Sequence, residues 1–418
     1  MGLYINLFFA LIFVVFTFYY IRKNVTLTLI FWLIFFQAYS VFPSLIYIEQ
    51  GIYINEQGRQ SFFAGATIIC ILYFILTFVL LELSFKSFNK KKLPTLHLGL
   101  NKKNIDSKVL IFLITIAMFL LLLNAILSPL PMFNPSITRF NYWQNSFFPF
   151  LNKIFGNTAI FIPFGLGVLF LKHKKYSIIM LLIFVFYTLL IGQKFSPLVA
   201  SAYSFLLPIL FNYRFELKKV IIKNLFPLTV SFLVLFGLMY AAIYKKYEET
   251  HPFAVIKIYD PNEAIVYRMF GLQGHLFWGA TERYVVNNTK PKSFNPTDLL
   301  YGMRHMMADF AENKGVLKAN DKVGYNFTNA YPGILFKIFP ISLAFVFHSF
   351  LTICFLALMG WILKETLAQK ALFLSVIAYQ IFNWTVYAFI MGYFYKLYFT
   401  IFFLFMYGLF IYIRKKNA

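Results

Sequence analysis

The sequence predicts an all-α polytopic membrane protein with about eleven transmembrane helices and one large helical loop on the outer face. Three observations predict it. Of the 418 residues, 60% are hydrophobic and only 13% charged, where soluble domains carry about 25% charge. The apolar residues gather into runs near the length of a bilayer crossing. Lys and Arg concentrate in alternate connecting segments. Such a composition excludes a cytosolic enzyme, a nucleic-acid-binding protein and a secreted disulfide scaffold. The formal net charge of +23 is read as topology and as affinity for anionic headgroups or a diphosphate lipid. Cys70 and Cys354 both lie inside apolar runs and build no disulfide framework.

The apolar runs cover 2–21, 25–47, 62–81, 109–130, 154–171, 176–192, 195–211, 225–244, 338–363, 371–391 and 397–413. The first is expected to be a retained helix. No basic segment precedes it, and it ends in Tyr19-Tyr20-Ile21-Arg22-Lys23 without a small-residue cleavage site. The sixth and seventh are short and closely connected, so one of them can be re-entrant. Orientation follows from the basic residues. With the N-terminus outside, the inner segments hold 21 Lys and Arg, whereas the short outer ones hold only Arg59, Arg139, Lys153, Lys194 and Lys396. Lys337 and Lys396 sit near span ends, where long side chains snorkel, and His348 is the clearest polar group within a span.

This divides the chain into an N-terminal transmembrane bundle (1–244), a large periplasmic loop (245–337) and C-terminal transmembrane helices (338–418). The loop holds nine of the fifteen acidic residues and twelve Lys and Arg. Long loops cross the membrane largely regardless of charge. Two amphipathic helices are expected in it. One opens at Asp260-Pro261-Asn262-Glu263, with Asp260 as N-cap, Pro261 at the first helical position and Glu263 completing a capping box. It runs toward Tyr284 and carries Arg268, His275 and Glu282 at seven-residue spacing, with Gly271 and Gly274 thinning it for a ligand's approach. The other opens at Asn295-Pro296, carries Arg304 beside a stripe of His305, Asp309 and Glu312, and stops at Gly315.

Soluble-enzyme motifs are missing from the sequence: it has no G-x-S-x-G, H-E-x-x-H, P-loop or G-x-G-x-x-G. His and Cys spacings suggest no metal, and no cofactor is expected. The functional signal is a set of cations on one side of the membrane. Arg139 lies in Thr138-Arg139-Phe140-Asn141-Tyr142-Trp143-Gln144, and Lys194 in Gly192-Gln193-Lys194-Phe195. Arg268, Arg283 and Arg304 lie in the large loop. A guanidinium binds phosphate through two parallel hydrogen bonds and stays charged at any working pH. Neighbouring aromatics such as Tyr142 and Trp143 suit the apolar faces of sugar rings.

Gly192-Gln193-Lys194-Phe195, the segment Arg268 to Gln273-Gly274, and Arg304 followed after ten residues by Gly315, within this topology, resemble the O-antigen polymerases of bacterial surface polysaccharide assembly. The resemblance implies a bacterial inner-membrane glycosyltransferase working on the periplasmic face. Its substrates are oligosaccharide repeat units on undecaprenyl diphosphate, with a flippase and a chain-length regulator as partners beside membrane lipids, and no nucleic acid. The growing chain moves to the next lipid-linked unit and a diphosphate lipid leaves. Fixed cations stabilise the leaving charge, so neither nucleotide nor metal is required. The catalytic candidates are Arg268, Arg139, Lys194, Arg304, Glu263 and His275. Arg283, Gln273, Tyr142, Trp143, Gln193 and Asp309 are expected to bind substrate. The base that takes the acceptor proton stays open among Glu263, Glu282, His275 and Asp309. An O-antigen ligase is the close alternative, and a polysaccharide flippase or other transporter the more distant one.

Overall fold

The computed structural model describes residues 2–31, 34, 38, 41–44, 46–47, 66–90, 106–134, 136–137, 139, 141–155, 161–170, 172–193, 195–212, 225–271, 274–289, 295–302, 305–306, 309, 331, 333–365, 385, 394 and 397–416. Among these residues all regular structure is helical. In chain order the helices are α1 (Gly2–Lys23), α2 (Val25–Ile30), α3 (Ala66–Lys90), α4 (Asp106–Leu127), α5 (Leu151–Phe155), α6 (Phe161–Phe170), α7 (Lys174–Leu190), α8 (Phe195–Asn212), α9 (Leu225–Thr250), α10 (Pro261–Val266), α11 (His275–Ala280), α12 (Pro296–Tyr301), α13 (Gly333–Ile338), α14 (Ile341–Glu365) and α15 (Leu397–Lys416). Two π-helical turns, Tyr267–Gly271 and Thr281–Val286, follow α10 and α11.

Among the described residues three stretches are long and apolar enough to cross a membrane: Thr67–Ser84, Ser107–Leu127 and Ile341–Met359. Their surroundings agree with that role. On α4, Ile114, Met118, Leu121 and Ala125 face inward, while Val109, Phe112, Leu113, Ile116 and Phe119 stand exposed. A helix in water would turn a polar face outward; here the outward face is apolar, as lipid requires. On α1 the inward stripe is Ala10, Phe13, Thr17 and Tyr20, and Phe13 packs on Phe74 and Phe78 of α3 with ring centroids 6.2 Å apart. At the C-terminal end of α1, Lys23 and Lys86 both pair with Glu82. Helices α6 and α7 have 10 and 17 residues, short of the ~20 a crossing needs. The expected run 371–391 lies largely outside the described residues.

The chain forms two compact units, and they do not follow the linear division at 244 and 337. One gathers Met1–Leu93, Ile243–Lys364 and Ile377–Ala418; the other holds Pro94–Ala242 and Glu365–Val376. The large loop thus belongs to the first unit, with α1 to α3 and the late helices. At the centre of the second unit is α6, apolar all round and buried from Ile162 to Leu169, with α7 and α8 packed on it.

A buried polar string crosses the first unit. The Thr77 hydroxyl donates to the Tyr73 carbonyl at 2.8 Å. Its oxygen is then left to accept from His348 Nε2, 2.9 Å away. That assigns the imidazole hydrogen to Nε2. Nδ1 accepts from the Tyr331 hydroxyl at 2.7 Å. His348 is therefore a donor–acceptor bridge from α14 to α3 and to the residue that leads into α13.

Candidate functional site

The cluster with the most chemistry among the described residues lies in the large loop of the first unit. Its framework starts with the second N-cap expected from sequence. Asn295 Oδ1 accepts from the Thr297 N–H at 3.0 Å and the Thr297 hydroxyl at 2.7 Å. Pro296 starts α12, and the helix ends after Tyr301, with Gly302 as its cap. The second helix is therefore not continuous to Gly315 as expected; Gly302 interrupts it. The chain then turns again, the Met306 N–H reaching the Gly302 carbonyl at 3.0 Å.

His305, in this next turn, lies over Asp298. The His305 Nδ1 lies 2.7 Å from Asp298 Oδ1, and Lys337 Nζ reaches the same oxygen at 3.1 Å. Lys337 also pairs with Asp309 Oδ2 at 2.8 Å. The Tyr284 hydroxyl donates to that Asp309 oxygen, again at 2.8 Å, and Arg283 donates to the Asp309 backbone carbonyl. Lys337 of α13 thus joins Asp298 of α12 to Asp309, and Asp309 in turn holds Tyr284 and Arg283 of the second π turn.

Lys337 does not snorkel. Its side chain is 10% exposed and that of Asp298 only 6%. Burial alone would lower the Lys337 pKa, but the carboxylates of Asp309 and Asp298 outweigh it and hold the ammonium above its ordinary value. Burial and the Asp309 carboxylate together push the Tyr284 phenol well above its usual range.

The π turns explain which face each loop residue presents. Each closes hydrogen bonds between residues five apart in place of four, and so holds extra chain per turn; the Asn287 N–H reaches back to the Glu282 carbonyl at 2.9 Å. Glu282 and Tyr284 are consequently buried while Arg283 is exposed. Arg268, in the first π turn, is half-buried. The seven-residue stripe of Arg268, His275 and Glu282 assumed an uninterrupted α-helix and is not kept in this register.

The first N-cap is as expected: Asp260 accepts from the Glu263 N–H at 3.0 Å, and Pro261 starts α10. Glu263 itself is exposed at that end. The thin helix surface at Gly271 and Gly274 is taken by the protein's own groups. A Cβ on Gly271 would meet the Tyr267 ring, and one on Gly274 would lie 1.8 Å from Ser44 Oγ and 2.5 Å from the Val41 carbonyl oxygen. These glycines serve packing rather than ligand approach.

In the second unit, the segment around Arg139 meets the turn before Lys194. Helix α7 ends in a Schellman motif: the Gln193 N–H bonds the Thr188 carbonyl and the Gly192 N–H bonds the Leu189 carbonyl. Gly192 takes the left-handed conformation, φ +74°, that this motif demands. It lies against Pro131, and its Cβ position is 3.8 Å from Arg139 Cβ. The aromatic segment after Arg139 is tied to the end of α4. Asn124 Oδ1 accepts from the Phe148 N–H at 2.8 Å, Asn124 Nδ2 donates to the Tyr142 hydroxyl at 3.2 Å, and Ser128 Oγ accepts from the Phe147 N–H at 2.8 Å.

Tyr142 is 1% exposed, so it anchors the loop instead of offering its ring to a sugar. Trp143, half-buried, packs edge-on against it, and Gln193 is half-buried in the turn. Lys194, Gln273 and Arg304 lie outside the described residues, as does the side chain of His275. Sequence reasoning named Asp309 but passed over Asp298 as a functional residue, and read Lys337 as snorkelling near a span end. The seven-residue spacing of Asp298 and His305, two helical turns, was the available signal.

A model of a family of unknown function, DUF6418, matches residues 296–412, a stretch that starts with α12 and includes Asp298, His305, Asp309, Lys337 and His348. Nothing among curated proteins and nothing among solved structures matches the chain.

Proposed function

We propose that the protein is a surface-polysaccharide polymerase of the bacterial inner membrane. The chain crosses the bilayer about eleven times, N-terminus outside and C-terminus inside, and its large loop faces the periplasm. It transfers a growing glycan from undecaprenyl diphosphate to the next lipid-linked repeat unit. Arg139 and Lys194 stabilise the departing diphosphate, Arg268, Arg304 and Arg283 of the large loop are separate candidates for phosphate contact, and the reaction draws on no nucleotide or metal. A flippase supplies the repeat units and a chain-length regulator limits the product. The observation that carries this reading is the meeting of two cation-bearing segments, Arg139 and the Gly192 turn leading to Lys194, which the distribution of basic residues assigns to the same outer face. The apolar outward faces of α1 and α4 support the membrane setting.

Two measurements test it. Cysteines introduced at Thr250 and Asn288, in a background lacking Cys70 and Cys354, should react with an impermeant maleimide from outside; reaction from the cytoplasmic side alone refutes the topology. Arg139→Ala, Lys194→Ala and Arg268→Ala should each retain expression yet shorten surface glycan toward single repeat units, because a fixed transition-state donor is worth about 10²–10³ in rate. Wild-type chain length in all three removes the reading, and loss of all attached glycan moves it to the ligase.

A further inference from the structure

We propose that α1 and α3, where their C-terminal parts meet, form a seat for the headgroup phosphate of an acidic phospholipid, with Lys23, Lys86 and Arg22 as its cations. The seat depends on the membrane setting and not on the polymerase reading. Both helices belong to one compact unit. The Tyr20 hydroxyl donates to the Phe78 carbonyl at 2.8 Å, and about one turn further on Lys23 Nζ reaches Glu82 Oε1 at 3.1 Å. The distribution of basic residues assigns this end to the cytoplasmic side.

Glu82 organises the cluster. Its Oε1 accepts from both Lys23 and Lys86, and its Oε2 accepts from the Asn24 amide at 3.3 Å. The carboxylate is the inner member, 16% exposed, and the lysine side chains are the outer ones, 49% and 59% exposed. An ammonium group carries three hydrogens. Each lysine turns one of them to Glu82, and the others point away from that oxygen. Because both ammonium groups touch the same oxygen, one tetrahedral anion can span them. Arg22, exposed in the last turn of α1 next to Lys23, adds a third cation. Three positive groups around one carboxylate leave an excess of positive charge for an anion. Immobilising a long side chain costs entropy on binding, and Glu82 has already fixed two of the three.

The surface beneath the cations is apolar, and this sets the source of the anion. Phe18 and Tyr19 stand exposed one turn before Arg22 and Lys23, on the same helix faces. Leu83 and Val79 stand exposed in the turns before Lys86. A free phosphate gains nothing from such a strip. A phospholipid does: its phosphate meets the ammonium groups while its acyl chains run along these four side chains. Lys172 and Lys175 of the other unit are equally exposed, but among the described residues no carboxylate gathers them.

The test uses purified full-length protein in a neutral detergent, titrated with dioleoyl phosphatidylglycerol or dioleoyl phosphatidylcholine and followed by native mass spectrometry. Wild type should bind the phosphatidylglycerol more tightly. Lys23→Gln combined with Lys86→Gln should weaken that binding about 30-fold, since each basic residue at an anionic lipid surface contributes about a factor of five. Phosphatidylcholine binding should not change. Lys172→Gln combined with Lys175→Gln removes the same charge and should leave the affinity as in wild type. Equal weakening by the two pairs overturns the seat, because diffuse positive charge then accounts for the binding; wild-type affinity in the first pair overturns it as well. Adding Glu82→Gln to the first pair removes the carboxylate left without its lysines. This triple variant should elute as wild type does on size exclusion and keep the loss; an affinity restored in it would trace the loss to misfolding and overturn the seat. Inorganic phosphate at the same concentration should leave the melting temperature unchanged where phosphatidylglycerol raises it. An equal rise with both overturns the lipid as occupant.

Discussion

Replacing Lys337 by methionine is expected to destabilise the folded protein by about 3 kcal/mol, the lower end of what breaking a buried ion pair costs. Methionine keeps most of the stem's volume, so the loss isolates the charge. Asp298 then retains His305 and Asp309 retains Tyr284, which is why the cost stays near that lower end. The contribution has a definite pH window. The folded-state pKa of Lys337 is raised above its ordinary value, so the stabilisation is fully present below the unfolded value of about 10.4. It is lost as the pH climbs through the folded value. Thermal unfolding in detergent, followed from pH 8 to pH 12, should show wild type well above Lys337→Met at neutral pH and the gap closing above about pH 10.5. A constant gap over that range would show that the ammonium is not its source.

Gly274→Val should cost a similar amount, about 3 kcal/mol, at the upper end of ordinary overpacking. The clash is not one a rotamer change relieves. Besides Ser44 Oγ at 1.8 Å, the added carbon meets the Val41 carbonyl oxygen at 2.5 Å, and that oxygen accepts the Ser44 hydroxyl at 2.6 Å. Ser44→Ala alone should be mild, and adding it to Gly274→Val should recover only a minor part of the loss, because the backbone contact remains. Full recovery in the double variant, or an unchanged melting temperature in Gly274→Val, would show that the two segments separate freely.

Short-range features were legible in the sequence. Asp260-Pro261 and Asn295-Pro296 start helices because each cap needs only its own next three residues, and the apolar runs announce helices whose outward faces carry no polar stripe. The candidate site was legible only in pieces. Lys337 finds Asp298 across 39 residues, a distance at which no local pattern operates. The π turns shift the register of Arg268, His275 and Glu282, and periodicity has no means of foreseeing an extra residue in a turn. Gly271 and Gly274 were read as openings because a glycine looks the same in sequence whether a ligand or the chain's own Ser44 fills the space beside it. Arg139 and the Gly192 turn were recognised separately as sparse cations of outer loops; their adjacency comes from the Schellman motif, whose geometry folds the turn toward Pro131.

The hydrogen bonds of His348 have a mechanical consequence. The imidazole is carried by α14 and is tied to Thr77 of α3 on one side and to Tyr331 on the other. It works as a rivet: α3 and α14 cannot slide past each other without parting a buried donor from its acceptor, which leaves both unsatisfied.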